Sequence, residues 1–273
     1  MQPTGNAKDA ATVLLLRQGA QGPEVFMQVR SPRMAFAAGA AVFPGGSVDP
    51  SDLLGTEDWG TPEVPGALLA AAIRETFEEC GVLLAAPASW LPDAAGPGAA
   101  VASPGAGAER EAGSGVVAVG ADAAWPGAAE RAALTRHERG IAEVLATAGL
   151  LPELSALALV DRWITPEGEP RRYDTRFLAS VLPEGAEADG LTTESVSSFW
   201  VRPQDALARY GNGELSLMPP TWAQLERLSR AGDVQEGLQP ATTGVTCPTL
   251  RQENGRMIAQ FWGTPEYLAA GPA

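Results

Sequence analysis

The chain has 273 residues, 45% hydrophobic and 19% charged, with 33 acidic against 19 basic side chains and a formal net charge of −14. That length is enough to bury a full core, and the acidic excess argues against a nucleic-acid binder, whose affinity rests on Lys and Arg neutralising phosphates. A small anionic substrate remains admissible where a cation or a local Arg cluster offsets the field. No apolar run approaches the roughly 20 residues of a membrane span, and Met1–Asp9 lacks the basic-then-apolar order of a signal peptide. Cys80 and Cys247 supply neither a disulfide framework nor a metal knuckle, which points to a reducing cytoplasm.

In chain order, residues 11–16 and 24–30 read as two strands joined by a turn over Gly19–Pro23, hence a β-hairpin. A short apolar run at 40–43 ends at Pro44-Gly45-Gly46, a turn signal. Residues 47–66 are irregular and acidic, with prolines at 50, 62 and 65. A helix is predicted from about Ala67 to Leu84, with Leu69, Ile73, Phe77 and Cys80 on one stripe. Residues 85–127 are rich in Ala, Gly and Pro and read as a flexible or loosely packed insertion, or as a surface for a homodimer. One amphipathic helix is expected over 128–149, carrying His137 on its polar side, followed by strands at 157–164, 172–182 and 194–201. Pro203 opens a short helix, a second runs over Thr221–Ala231, and a last strand covers 255–262. The mixture of elements predicts one α/β domain over 1–273 with a mixed sheet, insertions at 47–66 and 85–127, and a C-terminal extension over 232–273.

The chemistry concentrates in Arg74-Glu75-Thr76-Phe77-Glu78-Glu79-Cys80-Gly81-Val82. At ~100° per residue, Glu75, Glu78 and Glu79 share about a third of the helix circumference. Three carboxylates so close raise one another's pKa unless a cation joins them. Hard oxygen ligands favour Mg²⁺ or Mn²⁺, which leave coordination sites for water and phosphate. Arg74 lies one turn before Glu78 and can pair with it. The plainer alternative is a solvated acidic face, against which stand the apolar neighbours Ile73 and Phe77 and the Gly-Gly turn upstream.

This segment resembles the second half of the Nudix box, Gly-x5-Glu-x7-Arg-Glu-u-x-Glu-Glu-x-Gly-u, where u is a bulky aliphatic residue or a near substitute. Arg74, Glu75, Glu78, Glu79, Gly81 and Val82 match, with Thr76 at the first u. Phe43-Pro44-Gly45-Gly46 resembles the entry turn, with Gly46 as the box glycine. The box puts Arg 14 positions after its Gly, whereas Arg74 follows Gly46 by 28, so 14 extra residues are present. Counted back eight from Arg74, the first box Glu falls on Gly66; Asp49, Asp52, Glu57, Asp58 and Glu63 stand as alternatives. Further segments are similar to the coenzyme A diphosphatase branch of the family (nucleoside diphosphate-linked moiety X motif 19): residues 29–50, 163–166, 171–177 and 217–221.

The resemblance implies a Nudix-type α/β/α sandwich and a metal-dependent diphosphatase without a membrane partner. Glu75, Glu78 and Glu79, with Gly46, would hold Mg²⁺ or Mn²⁺. Arg74, Glu78 and Glu79 would be catalytic, with Glu79 or Glu194 as general base. The implied substrate is coenzyme A or acyl-CoA, cut to 3′,5′-ADP and a 4′-phosphopantetheine. ADP-ribose, a nucleotide sugar or a dinucleotide are alternatives, as is a non-catalytic binding module. Arg30, Arg33, Arg171 and Arg172 are candidate phosphate ligands and Tyr173 a candidate adenine platform. Strand alternation puts Arg172 on the face opposite Tyr173.

Overall fold

The computed structural model describes residues 6–34, 37–87, 125–241, 244–253 and 256–271. The central strand is β1 (Lys8–Gly19), whose near-continuous apolar run is buried on both faces. It forms the expected hairpin with β2 (Gly22–Arg30), but the two strands pair only from Leu16–Val25 to Gly19–Gly22 and diverge beyond. Into that fork the chain inserts β3 (Ala40–Val42), antiparallel to β2, and β4 (Gly45–Ser47), antiparallel to β1. Of the turn expected at 44–46, Pro44 makes the bend between β3 and β4, with its O accepting from Val13 N–H at 2.9 Å, while Gly45 and Gly46 are already strand.

The other edge of β1 pairs in parallel with β8 (Tyr173–Val181), which is antiparallel to β7 (Ala158–Ile164). β9 (Ser195–Val201) lies on the outer edge of β2, with a register shift at Val29/Arg30. Short parallel strands, β10 (Ser216–Leu217) on β3 and β11 (Val245–Thr246) on β7, complete the sheet. Away from it, β5 (Ala85–Pro87) pairs with β6 (Leu150–Pro152), so the buried start of the region read as an insertion at 85 is ordered. The rest of that region, 88–124, lies outside the described residues.

Alternation along β1 feeds two cores. Ala11, Val13 and Leu15 pack with α1 (Gly66–Cys80), α2 (Ala128–Thr135) and α3 (Ile141–Thr147). Leu14 and Leu16 pack on the opposite face with α4 (Pro203–Gly211) and α5 (Pro219–Leu228). A one-turn helix, α6 (Val234–Gly237), follows. The C-terminal part adds a hairpin of β12 (Thr249–Glu253) and β13 (Arg256–Gln260), then α7 (Thr264–Ala270). The result is the mixed-sheet α/β domain that the element pattern predicts, layered as the α/β/α sandwich that the family resemblance implies.

Two expectations are corrected. The helix predicted to Leu84 stops at Cys80, because Gly81 takes the left-handed conformation (φ +73) and its N–H caps Phe77 O. The single helix predicted over 128–149 is two. It breaks at Arg136–Gly140, where His137 holds φ +54 and forms no part of a helical face.

The end of α1 is clamped from outside. Arg131 on α2 donates through Nε to Glu78 O and through both terminal nitrogens to Asp189, while Asp189 N–H donates to Cys80 O. Burial pushes the Asp189 carboxyl upward, but its bonds from Arg131 and Leu191 N–H outweigh that and leave it below the ordinary range. Its stabilising contribution is therefore present above the ordinary Asp value of about 3.9 and lost as pH falls through the lower folded value. Asp189 is 36% exposed, so screening limits the pair, and Asp189→Asn should cost about 1 kcal/mol at pH 7. In urea titrations the gap between variant and wild type should close below about pH 4; a gap independent of pH would refute the clamp.

Candidate metal and diphosphate site

The fork between β1 and β2 presents backbone to one side of α1, and the candidate carboxylates meet it there. At Gly46, an added Cβ would lie 2.2 Å from Glu75 Oε1, so glycine is required for this approach. Gly45 N–H donates to Glu79 Oε2 at 2.9 Å, and Gln28 Nε2 donates to the same oxygen at 3.1 Å. Gln28 is buried on β2, and sequence reasoning missed it. Its one signal is a polar side chain among Val25, Phe26, Met27 and Val29.

Arg74 organises the remainder. Its side chain is 3% exposed, and each N–H has an acceptor. Nε and one terminal nitrogen grip both oxygens of Asp52 at 2.9 Å, and that nitrogen also reaches Ser47 O at 3.1 Å. The other terminal nitrogen contacts Glu75 at 2.9 Å and Glu78 at 3.4 Å. Asp52 sits in a 3-10 turn (Pro50–Leu53) capped reciprocally with Asp49, and it is completely buried.

Asp52 is thus the acid among the five alternatives that meets Arg74. It stands six positions after Gly46, the box spacing counted forward, so the 14 extra residues fall between this acid and Arg74. At Gly66, the position reached by counting backward, a Cβ would lie 1.9 Å from Thr56 O, and no side chain fits. Glu57, Asp58 and Glu63 are exposed. Asp49 instead pairs with His137 Nδ1 at 3.2 Å.

The carboxylates are electrostatically crowded. Burial, then Glu78 and Glu194, pushes Glu75 up to about 7 against the opposing pull of Arg74. Burial and the Glu75 charge hold Glu79 well above the usual range, since its Gly45 N–H bond and the more distant Arg30 offset them only in part. Burial raises Glu78 too, despite Arg74. Buried hard-oxygen donors with too little positive charge suit a divalent cation. Arg74 holds two of them and Gln28 with Gly45 the third; among the described residues no three such side chains converge as a preformed cage.

One cavity of about 540 Å³ is lined by Gly46, Arg74, Glu75 and Glu78 and also by Arg30, Glu194 and Tyr173. The shift at Val29/Arg30 accompanies Arg30, which is 17% exposed; it lies 3.7 Å from Glu194, and among the described residues its Nε has no acceptor. Arg33 and Arg171 are exposed and outside this lining. Arg172 is also outside it, because its Nε donates to the Thr165 and Pro166 carbonyls. Phe43, Trp163, Phe177 and Met218 give the cavity an apolar wall that the sequence did not reveal as such.

Removing one partner of the Arg74–Asp52 pair leaves a buried charge uncompensated. Asp52→Ala should therefore lower unfolding free energy by about 3 kcal/mol, with Asp52→Glu retaining more stability. The readout is the urea midpoint at unchanged slope; a loss below about 0.5 kcal/mol would contradict the assigned pairing.

The model of the NUDT19 Nudix domain matches residues 58–228. Over 205 residues the chain is 29% identical to acyl-coenzyme A diphosphatase NUDT19 of Gallus gallus, covering 72% of this chain and 50% of that one. The Homo sapiens protein of the same name is 27% identical over 258 residues, covering 80% and 63%. The chain thus spans between half and two thirds of the length of these relatives. A NUDIX hydrolase from Alicyclobacillus acidocaldarius has a similar structure, with TM-score 0.67 and 26% identity, covering 86% of this chain and 97% of that one. The family match extends over more than half of the chain and takes in the carboxylate helix, and on this ground the chain belongs to the Nudix hydrolases, in the NUDT19 branch.

Proposed function

We propose that the chain hydrolyses a nucleoside diphosphate-linked substrate with divalent metal, with coenzyme A or acyl-CoA preferred, giving 3′,5′-ADP and 4′-phosphopantetheine or its acyl form. The observation that carries this reading is the single cavity whose lining joins Glu75, Glu78 and Arg30 to Phe43, Trp163 and Phe177. A diphosphate suits the first group, and a long, weakly polar arm suits the second. The NUDT19 relatives of Gallus gallus and Homo sapiens are acyl-coenzyme A diphosphatases, which supports this choice.

Glu75, Glu78 and Glu79 would hold Mg²⁺ or Mn²⁺, with Gly46 leaving room for Glu75. When bound, the metal neutralises the diphosphate and makes an attacking water more acidic. Arg74 fixes Glu75 and Glu78 in place through one terminal nitrogen. Gln28 and Gly45 N–H orient Glu79. Arg30 would offer its Nε–H, which has no acceptor among the described residues, to a phosphate oxygen, a charge-assisted bond that satisfies a buried donor. Glu194, which lines the cavity and is 48% exposed, would accept a proton from water, with Glu79 the alternative base. Tyr173 supplies an aromatic surface for a base. Among the described residues no helix is long and apolar enough to cross a membrane. Both cysteines are free, in keeping with action in a reducing cytoplasm.

A panel of CoA, dephospho-CoA, ADP-ribose and a nucleotide sugar, each with Mg²⁺ or Mn²⁺, tests the assignment. CoA should be turned over best and chelator should abolish activity. Glu78→Gln, which keeps shape and removes charge, should lower kcat by about 10²-fold or more. Folded protein that cleaves none of the panel with either metal would sink the reading. Wild-type rates in Glu78→Gln would remove its metal role.

A further inference from the structure

The apolar wall of the cavity is completed from outside the matched domain. The family match ends at residue 228, yet Pro248, Leu250 and Ala259 line the same cavity as Glu75 and Glu78. Leu250 and Ala259 are direct cross-strand partners in the β12–β13 register, so they share one face of the hairpin. Alternation carries that face onward to the pair Gln252 and Met257, and Met257 is 59% exposed. A line of apolar side chains therefore leads from the cavity toward solvent.

The hairpin is anchored at both ends. Before it, β11 adds to the sheet edge alongside Arg162 and Trp163. After it, Phe261 packs edge-on against Trp163 at 5.3 Å and against Trp222 at 6.3 Å. Thr264 Oγ1 accepts from Phe261 N–H and lies 3.2 Å from Ala259 O, and Tyr267 Oη donates to Leu217 O. Leu250 also lies over the loop after β7, since a Cβ on Gly168 would stand 3.7 Å from its Cδ1. A wall tied down this way loses little entropy when a chain lies against it.

We infer that the β12–β13 hairpin, through Leu250 and Ala259, forms the subsite for the non-nucleotide arm of the substrate, an acyl-pantetheine chain, with Met257 extending it for longer acyl groups. This rests on the diphosphatase reading for the identity of the arm, and its test uses a ligand that lacks the diphosphate. Decanoyl-pantetheine and pantetheine are titrated by calorimetry, and hydrogen exchange of wild-type amides over 249–253 and 256–260 is followed with and without decanoyl-pantetheine.

Decanoyl-pantetheine should bind wild type and slow exchange in the hairpin. Leu250→Trp and, independently, Ala259→Trp should weaken it by about tenfold or more, the scale of losing two or so buried methylene contacts. Met257→Asp should weaken decanoyl-pantetheine while leaving pantetheine within about twofold. No binding to wild type, no slowing of hairpin exchange, or unchanged affinity in both tryptophan variants with wild-type circular dichroism would overturn the subsite. Binding without diphosphate turnover would sink the reaction and keep the subsite; turnover with an indifferent hairpin would do the reverse.

Discussion

The arrangement depends on one buried guanidinium. Arg74 is 3% exposed and Asp52 fully buried, so neither charge has water to solvate it, and each is tolerable only because the other is fixed. Their bidentate pair ties three pieces of chain together: Arg74 belongs to α1, Asp52 to the capped turn, and Ser47 O to the fork strand β4. The remaining N–H groups then have a defined direction, toward Glu75 and Glu78. The arrangement of these two carboxylates thus follows from a structural ion pair.

The same pair explains why the site is short of positive charge. One guanidinium serves Asp52, Glu75 and Glu78, while Glu79 relies on the neutral donors Gln28 and Gly45 N–H. Burial raises all three glutamates of α1, and their mutual repulsion adds to the rise for Glu75 and Glu79. The divalent cation proposed for this site would relieve that crowding by replacing repulsion with coordination. Arg30 is the converse case: among the described residues its buried Nε lacks an acceptor, and the phosphate of the proposed substrate would supply one. These two opposite deficits meet in one cavity, and the proposed metal diphosphate would answer both.

What was legible in the sequence was local. Glu75, Glu78 and Glu79 could be placed on one helical face because 3.6-residue periodicity fixes their relation whatever the rest of the chain does. The strands at 157–164, 172–182 and 194–201 were readable from apolar patterning for the same reason. Asp52 was only one of five acids, because the count ran backward across the very segment that had been lengthened. Gln28 meets Glu79 across 51 positions, a pairing no local pattern encodes. The break at His137 was hidden because the apolar spacing of Leu134, Ile141 and Leu145 runs through it, whereas a left-handed residue there depends on tertiary packing. Residues 255–262 showed a strand but not the cavity it helps to wall.

The lengthened box raises the question of how a catalytic motif survives insertion at its centre. Asp52 and Arg74 are separated by 21 residues where the motif has seven, and tripling a flexible loop costs about 1 kcal/mol in closure entropy. The extra segment offsets that cost with contacts of its own. Val64 is buried in the core beneath α1, and Trp59 packs against it. Thr56 Oγ1 donates to Asp52 O, while Thr56 O lies against Gly66 at the start of the helix. The segment therefore leaves from the acid and returns at the helix through one buried threonine, so its length scarcely alters the distance between the two residues that matter. The number of residues between Asp52 and Gly66 is therefore free to vary, whereas the Gly46–Asp52 and Arg74–Glu79 spacings are not, because they set which carboxylates meet Arg74 and the backbone at Gly45 and Gly46.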